Sequence, residues 1–187
     1  MKHTISTKRL VLAGLLAALT VAGSAIRITV PMDIAGTSSF HLGNILCALS
    51  GILLGPWLGG VAAGLGSAIY DMFNPLYISE AWITFLTKGL YGVAAGLVAH
   101  WGSKNWGYPR ALMATVAGAV TYALLYLAKS FFYSGMLMHS LRFEAAALNT
   151  AGKLPATIFN AAVAIIAAPL LAVAIRKALQ SSHLTLE

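Results

Sequence analysis

Charge is what this sequence has least of. Asp, Glu, Lys and Arg together make up 9% of its 187 residues, and only five of them are acidic, whereas soluble domains carry roughly 25% charged residues. A 19.5 kDa globule has too much surface to cover with so few charges, which disfavours a soluble globule, a disordered chain and a coiled coil. Cysteine is scarce too. Cys47 stands alone, so an internal disulfide is excluded, and its apolar setting marks a buried, inert thiol. No second His or Cys stands at ligand spacing from His41, so no metal centre is read. GxxxxGK[ST], HExxH and GxSxG are all missing. The chain therefore carries no phosphate cradle, metal-bound water or activated nucleophile of those types. No catalytic residue and no cofactor is assigned, and ATP hydrolysis, if the process needs it, belongs to other subunits.

What fills the sequence is apolar: 59% hydrophobic residues, with 18 glycines besides. The net charge of +7 would suit nucleic acid if the basic residues clustered. They are instead scattered singly between apolar runs, as in a multi-pass membrane protein. Hydropathy and helix breakers divide one membrane domain, 1–187, into six expected spans at about 8–30, 41–54, 57–73, 80–101, 109–136 and 150–177. The first is read as a retained span because no small-residue cleavage site follows it. Pro109 and Pro155 suit helix starts, and Pro169 should kink the last span. Leu186 and Glu187 are expected to be a cloning remnant.

With six spans, both termini share one side. Lys2, Lys8, Arg9, Lys104, Arg110, Arg176 and Lys177 then mark that side as cytoplasmic, in a plasma membrane of the bacterial type. The other ionisable residues, Arg27, Asp33, Asp71, Glu80, Lys88, Lys129, Arg142, Glu144 and Lys153, fall in the outer half or the outer loops. An ionised group near a helix centre costs about 2.5–3.5 kcal/mol. Lys88 and Lys129, each about two turns inside a span, must therefore snorkel, or face a cavity and pair with Asp71, Glu80 or a ligand.

Aromatic residues gather at the same depth: Phe40, Tyr70, Tyr77, Trp82, Phe85, Tyr126, Phe132 and Tyr133. Singly, each suits an interfacial belt. Trp82, Tyr126 and Lys129 together suit a small-molecule pocket. His41 and Asn44 in FHLGN are expected one turn apart on one helix face, packing the preceding loop. Asn160, after Lys153 and Thr157, either faces the chamber or bonds another helix. The candidate substrate-binding set is thus His41, Asn44, Asp71, Trp82, Lys88, Tyr126, Lys129, Lys153 and Asn160. Small residues are spaced four apart along span one, and GVAAGL occurs at both Gly60–Leu65 and Gly92–Leu97; such spacing lets helix backbones approach closely. The inner half offers no charged path, which disfavours a channel.

The alanine strip of span one, FHLGN, LLGPWLGGVAAGLGSAIYD and Lys88-Gly89 before the second GVAAGL resemble the S components of energy-coupling factor (ECF) vitamin transporters along nearly the whole chain. That resemblance implies an all-α membrane protein, a six-helix bundle that captures a vitamin from outside. It also implies a transmembrane T component and two cytoplasmic ATPases as partners. Ala13, Ala17, Ala18 and Ala22 would face the T component, and residues 31–40 and 74–79 would act as lids. Within the family the sequence resembles members assigned to hydroxymethylpyrimidine or pyridoxine, with riboflavin or another small vitamin as the alternative. A proton-driven secondary transporter working through Asp71, Glu80 and His41 is a further alternative, and a ligand-free scaffold another.

Overall fold

The computed structural model describes residues 6–31, 37–102 and 106–182. Among these residues, seven α-helices carry the fold: α1 Thr7–Ala25, α2 Gly43–Leu54, α3 Pro56–Met72, α4 Ala81–His100, α5 Tyr108–Ala128, α6 Phe143–Gly152 and α7 Leu154–Ser181. A two-stranded antiparallel hairpin, β1 Arg27–Pro31 and β2 Thr37–His41, follows α1, with Arg27 opposite His41.

Among the described residues, four segments are long and apolar enough to cross a membrane: Thr7–Ala25, Ile78–His100, Tyr108–Met138 and Phe143–Ser181. α2 and α3, with 12 and 17 residues, reach only about 18 and 25 Å at 1.5 Å per residue.

Three boundaries differ from expectation. The first helix stops at Ala25 rather than Val30, because the β-branched run Ile28-Thr29-Val30 pairs as a strand. The fifth helix widens at Lys129 into a π-helical stretch that runs to Met138. The sixth span is preceded by α6, so helix begins at Phe143 rather than near residue 150, with Glu144 in its first turn, where a negative charge complements the helix dipole.

Close helix packing explains the glycines. Gly55 joins α2 to α3 at φ +85°, a conformation that a Cβ resists, and Pro56 then occupies the first turn of α3. α3 and α4 meet through their two GVAAGL segments: a Cβ on Gly92 would lie 2.9 Å from the Gly60 Cα, and one on Gly60 would lie 2.6 Å from a Val93 methyl. The contact is thus backbone against backbone.

Both ends of the bundle hold polar groups, but they serve different purposes. At the end where α2 stops and α3 starts, Arg9 donates to the Leu54 carbonyl at 2.5 Å and the His100 ring lies 3.0 Å from the Ile52 carbonyl. These side chains cover carbonyls that the end of α2 leaves without helical partners. Arg176 likewise bonds the Trp106 carbonyl, and its guanidinium stacks 4.7 Å over that indole. At the opposite end the polar groups face a cavity.

Candidate functional site

The cavity is about 80 Å³, room for a handful of waters at roughly 10–15 Å³ each. It lies among the hairpin, the end of α3, the start of α4, the end of α5 and the start of α7. Arg27, Asp71, Glu80, Lys88, Lys129 and Lys153 all line it. Of the candidates read from sequence, His41, Asp71, Lys88, Tyr126, Lys129, Lys153 and Asn160 come together on its wall.

The lysines are held in different ways. Lys88, 5% exposed, donates to the Asn44 side-chain oxygen, and its ammonium sits 3.7 Å from the Tyr122 ring centre. Asn44 is itself buried and acts as the anchor of Lys88 rather than as part of the wall. Lys129 forms an ion pair with Glu80 at 2.5 Å, and Ser134 donates to the other carboxylate oxygen at 2.5 Å. This pair ties the start of α4 to the end of α5. Lys153 is buried and makes no ion pair within 4.0 Å among the described residues.

Asn160 connects α7 to the hairpin. Its amide oxygen accepts the His41 backbone N–H at 2.9 Å, and its amide nitrogen donates to the Ser39 carbonyl at 2.8 Å. A single side chain thereby replaces the neighbouring strand that β2 lacks on that edge. The sequence reading offered chamber or helix pairing for Asn160; the residue does line the chamber, and its side chain satisfies a strand rather than another helix.

His41 is a strand residue, not a helical one, so it does not share a helix face with Asn44. Its Nδ1 accepts the Gly43 N–H at 3.2 Å. Burial first, then the positive charges of Lys88 and Arg27, hold its pKa well below the usual value. The ring is therefore neutral near pH 7, and a neutral ring that accepts at Nδ1 carries its proton on Nε2.

Trp82 is the clear misplacement. It is 57% exposed, outside the cavity, and bonds the Tyr133 hydroxyl at 3.4 Å. Phe132 is also exposed, so both rings face away from the bundle, where an interfacial belt would lie. The aromatic wall comes from Tyr122 and Tyr126 instead, one turn apart on α5 with rings stacked at 5.6 Å and 26°. Tyr122 was missed, although it completes a helical stripe with Tyr126 and Lys129 at spacings of four and three. Arg27 was also passed over as a chamber group. Its guanidinium lies 4.2 Å from the Tyr70 ring centre and 4.9 Å from that of Tyr77, and its Nε donates to the Ser24 carbonyl.

The segments expected as lids meet over this cavity. The Tyr77 hydroxyl lies 2.8 Å from both the Thr37 and Ser39 hydroxyls, joining the segment between α3 and α4 to β2. Residues 32–36, with Asp33, lie outside the described residues, as do Lys2, Lys104, Leu186 and Glu187.

The expected partner face divides into two. Ala13 is buried and Ala17 is half-buried, with its carbonyl against Gly66 of α3. Ala18 and Ala22 are exposed, and among the described residues nothing lies within 4 Å of a Cβ placed on Gly14 on the same side.

Comparison with known proteins agrees with this architecture. Residues 4–177 match the family described as ECF-type riboflavin transporter, S component. An uncharacterized protein of the gap 3′ region of Pyrococcus woesei is 35% identical over 118 residues, 63% of this chain and 74% of that one. The crystal structure of the S component for biotin from an ECF-type ABC transporter superposes with a TM-score of 0.61 at 14% identity, covering 91% of this chain and 94% of that chain. This chain, a membrane-type helical bundle with a polar cavity at one end, matched over nearly its full length, belongs to the S-component family of ECF-type transporters.

Proposed function

We propose that this chain is the high-affinity vitamin-binding subunit of an ATP-driven importer. It works with a transmembrane T component and two cytoplasmic ATPases, and lies in the cell membrane with six spans and both termini inside. The observation that carries the reading is the cavity itself: six Asp, Glu, Lys and Arg side chains converge on one end of the bundle, while Arg9 and Arg176 at the other end are committed to the Leu54 and Trp106 carbonyls. A polar chamber closed toward one side suits capture and handover better than conduction. The basic residues near the far end, Lys8, Arg110 and Lys177 among them, favour placing that end in the cytoplasm.

The ligand is a compact single ring of the hydroxymethylpyrimidine or pyridoxine type. Tyr122 and Tyr126 offer a flat aromatic wall, Lys88 and Lys129 offer donors for a ring oxygen, and Asp71 offers a partner for a ring nitrogen. Riboflavin is the second reading, favoured by the family match over residues 4–177.

Equilibrium binding of pyridoxine, hydroxymethylpyrimidine and riboflavin to the purified chain tests the assignment, followed by uptake into proteoliposomes with and without the T component and ATPases. Micromolar or tighter binding of one of the three, with uptake that requires the partners and ATP, is the expected result. Protonophore-sensitive uptake by the chain alone would make it a secondary transporter, and retention of no ligand would make it a scaffold.

A further inference from the structure

We infer that the chamber is built for an anion: a flat ring that bears a carboxylate or a phosphate. The inference rests on the vitamin-binding reading above and narrows it. Four cations, Arg27, Lys88, Lys129 and Lys153, face two carboxylates, Asp71 and Glu80, an excess of two positive charges. Glu80 is already occupied by Lys129 at 2.5 Å and by the Ser134 hydroxyl. Asp71 forms no ion pair within 4.0 Å among the described residues, so it cancels none of the remaining cations at contact distance.

The neutral partners of the other cations orient them without removing their charge. Lys88 is held by the Asn44 oxygen and the Tyr122 ring. Arg27 is held by the Ser24 carbonyl and two tyrosine rings. Lys153 has less still: it is 6% exposed, lines the cavity, and its ammonium has no hydrogen bond and no ion pair within 4.0 Å among the described residues, the Glu80 carboxylate acting on it only from farther away. A buried ammonium retains its charge at a cost that only a counter-charge or several acceptors remove. A carboxylate or phosphate supplies both, through charge-assisted hydrogen bonds that a neutral alcohol does not match. The ring of the same ligand would lie along the Tyr122–Tyr126 wall, where stacking is indifferent to the anionic substituent.

The test uses the full chain in phosphatidylcholine nanodiscs, so that no anionic headgroup competes. Titrations compare pyridoxine with 4-pyridoxate and pyridoxine 5′-phosphate, and riboflavin with flavin mononucleotide. None of these probes carries an aldehyde, so none forms an imine with the lysines. The anionic member of at least one series is expected to bind at least tenfold tighter than its neutral parent. Lys153→Met should abolish that preference, and Lys153→Arg should retain it, which separates lost charge from lost folding. A neutral parent that binds as tightly as its acid or ester overturns the anion assignment and leaves vitamin capture standing. Mass spectrometry of the molecule retained through purification decides in the same way: an acid or phosphate ester supports the assignment, and a neutral molecule overturns it. A chain that binds none of the probes and retains nothing overturns both readings.

Discussion

Glu80, at the start of α4, and Lys129, where α5 widens into its π-helical stretch, lie 2.5 Å apart and close one flank of the cavity. Both are largely shielded, with 18% and 9% of their side chains exposed. Such a pair stabilises little against an apolar replacement of both partners, but removal of one leaves the other uncompensated.

Lys129→Met and Glu80→Gln should therefore each destabilise the protein, by about 2–4 kcal/mol for a largely buried pair. The double variant should recover much of that loss. Thermal unfolding in detergent, read as a double-mutant cycle, measures the coupling. Additive losses in the double variant would show that the two side chains do not act as a pair.

Asn160→Ala removes both bonds that fasten β2 to α7. Each partner left unsatisfied costs about 1–3 kcal/mol, and the loss falls on the hairpin rather than on the helices. Hydrogen exchange should rise at residues 37–41 while the α3–α4 contact keeps its protection. Asn160→Asp retains the acceptor for the His41 N–H but loses the donor to Ser39, so intermediate exchange is expected. Unchanged exchange in the alanine variant would show that the hairpin is fixed by other contacts.

Within the site, Lys88→Met should weaken ligand binding at least tenfold, whereas Trp82→Ala should leave it within twofold. The first removes a cation from the cavity wall; the second removes an exposed ring. Isothermal titration with the retained vitamin distinguishes them. A reversal of the two effects would place the ligand outside the cavity.

How much of this was legible beforehand depends on which periodicity was followed. Lys88 and Lys129 were readable as chamber residues because no lone cation is stable so far inside an apolar helix, and both GVAAGL segments were readable as packing faces. Trp82 was not a hidden case. It precedes Lys88 by six residues, about 240° around a helix at 3.6 residues per turn, so the two share no narrow wall. Ala81, Thr84 and Lys88 form the inward stripe. The alanine strip divides by the same periodicity, because Ala13 and Ala17 belong to the buried stripe with Leu16 and Thr20, while Ala18 and Ala22 belong to its exposed neighbour. The hairpin lay beyond hydropathy alone. Ile28-Thr29-Val30 simply prolongs an apolar run, and only Arg27 and the β-branched content signal the change. The Asn160 clamp joins positions 119 and 121 residues apart, a tertiary relation that no local pattern encodes.

The glycines at the α3–α4 seam should tolerate little. A Cβ on Gly96 would lie 2.5 Å from the Pro56 backbone nitrogen and Cα, which cannot yield as a flexible side chain would. Gly96→Ala should therefore cost about 1–3 kcal/mol through overpacking, and Gly96→Leu should prevent folding. Gly102→Ala, at an open site where only a φ of +66° is strained, provides the contrast, with a cost of about 1 kcal/mol. Thermal melts of the two alanine variants should fall in that order.

The last prediction concerns the two stripes of α1. Ala18 and Ala22 face outward beside Gly14, with Leu15 and Leu19 exposed on the same side of the helix. If the T component docks there, Ala18→Trp should leave vitamin binding and thermal stability intact and abolish ATP-dependent uptake. Ala13→Trp should act differently, because Ala13 is buried against the bundle; an indole there overpacks the core and lowers stability. Copurification of the T component with each variant, measured beside vitamin affinity, separates the two effects. Full assembly and transport by Ala18→Trp would remove this stripe from the interface and direct the search to another exposed face of the bundle.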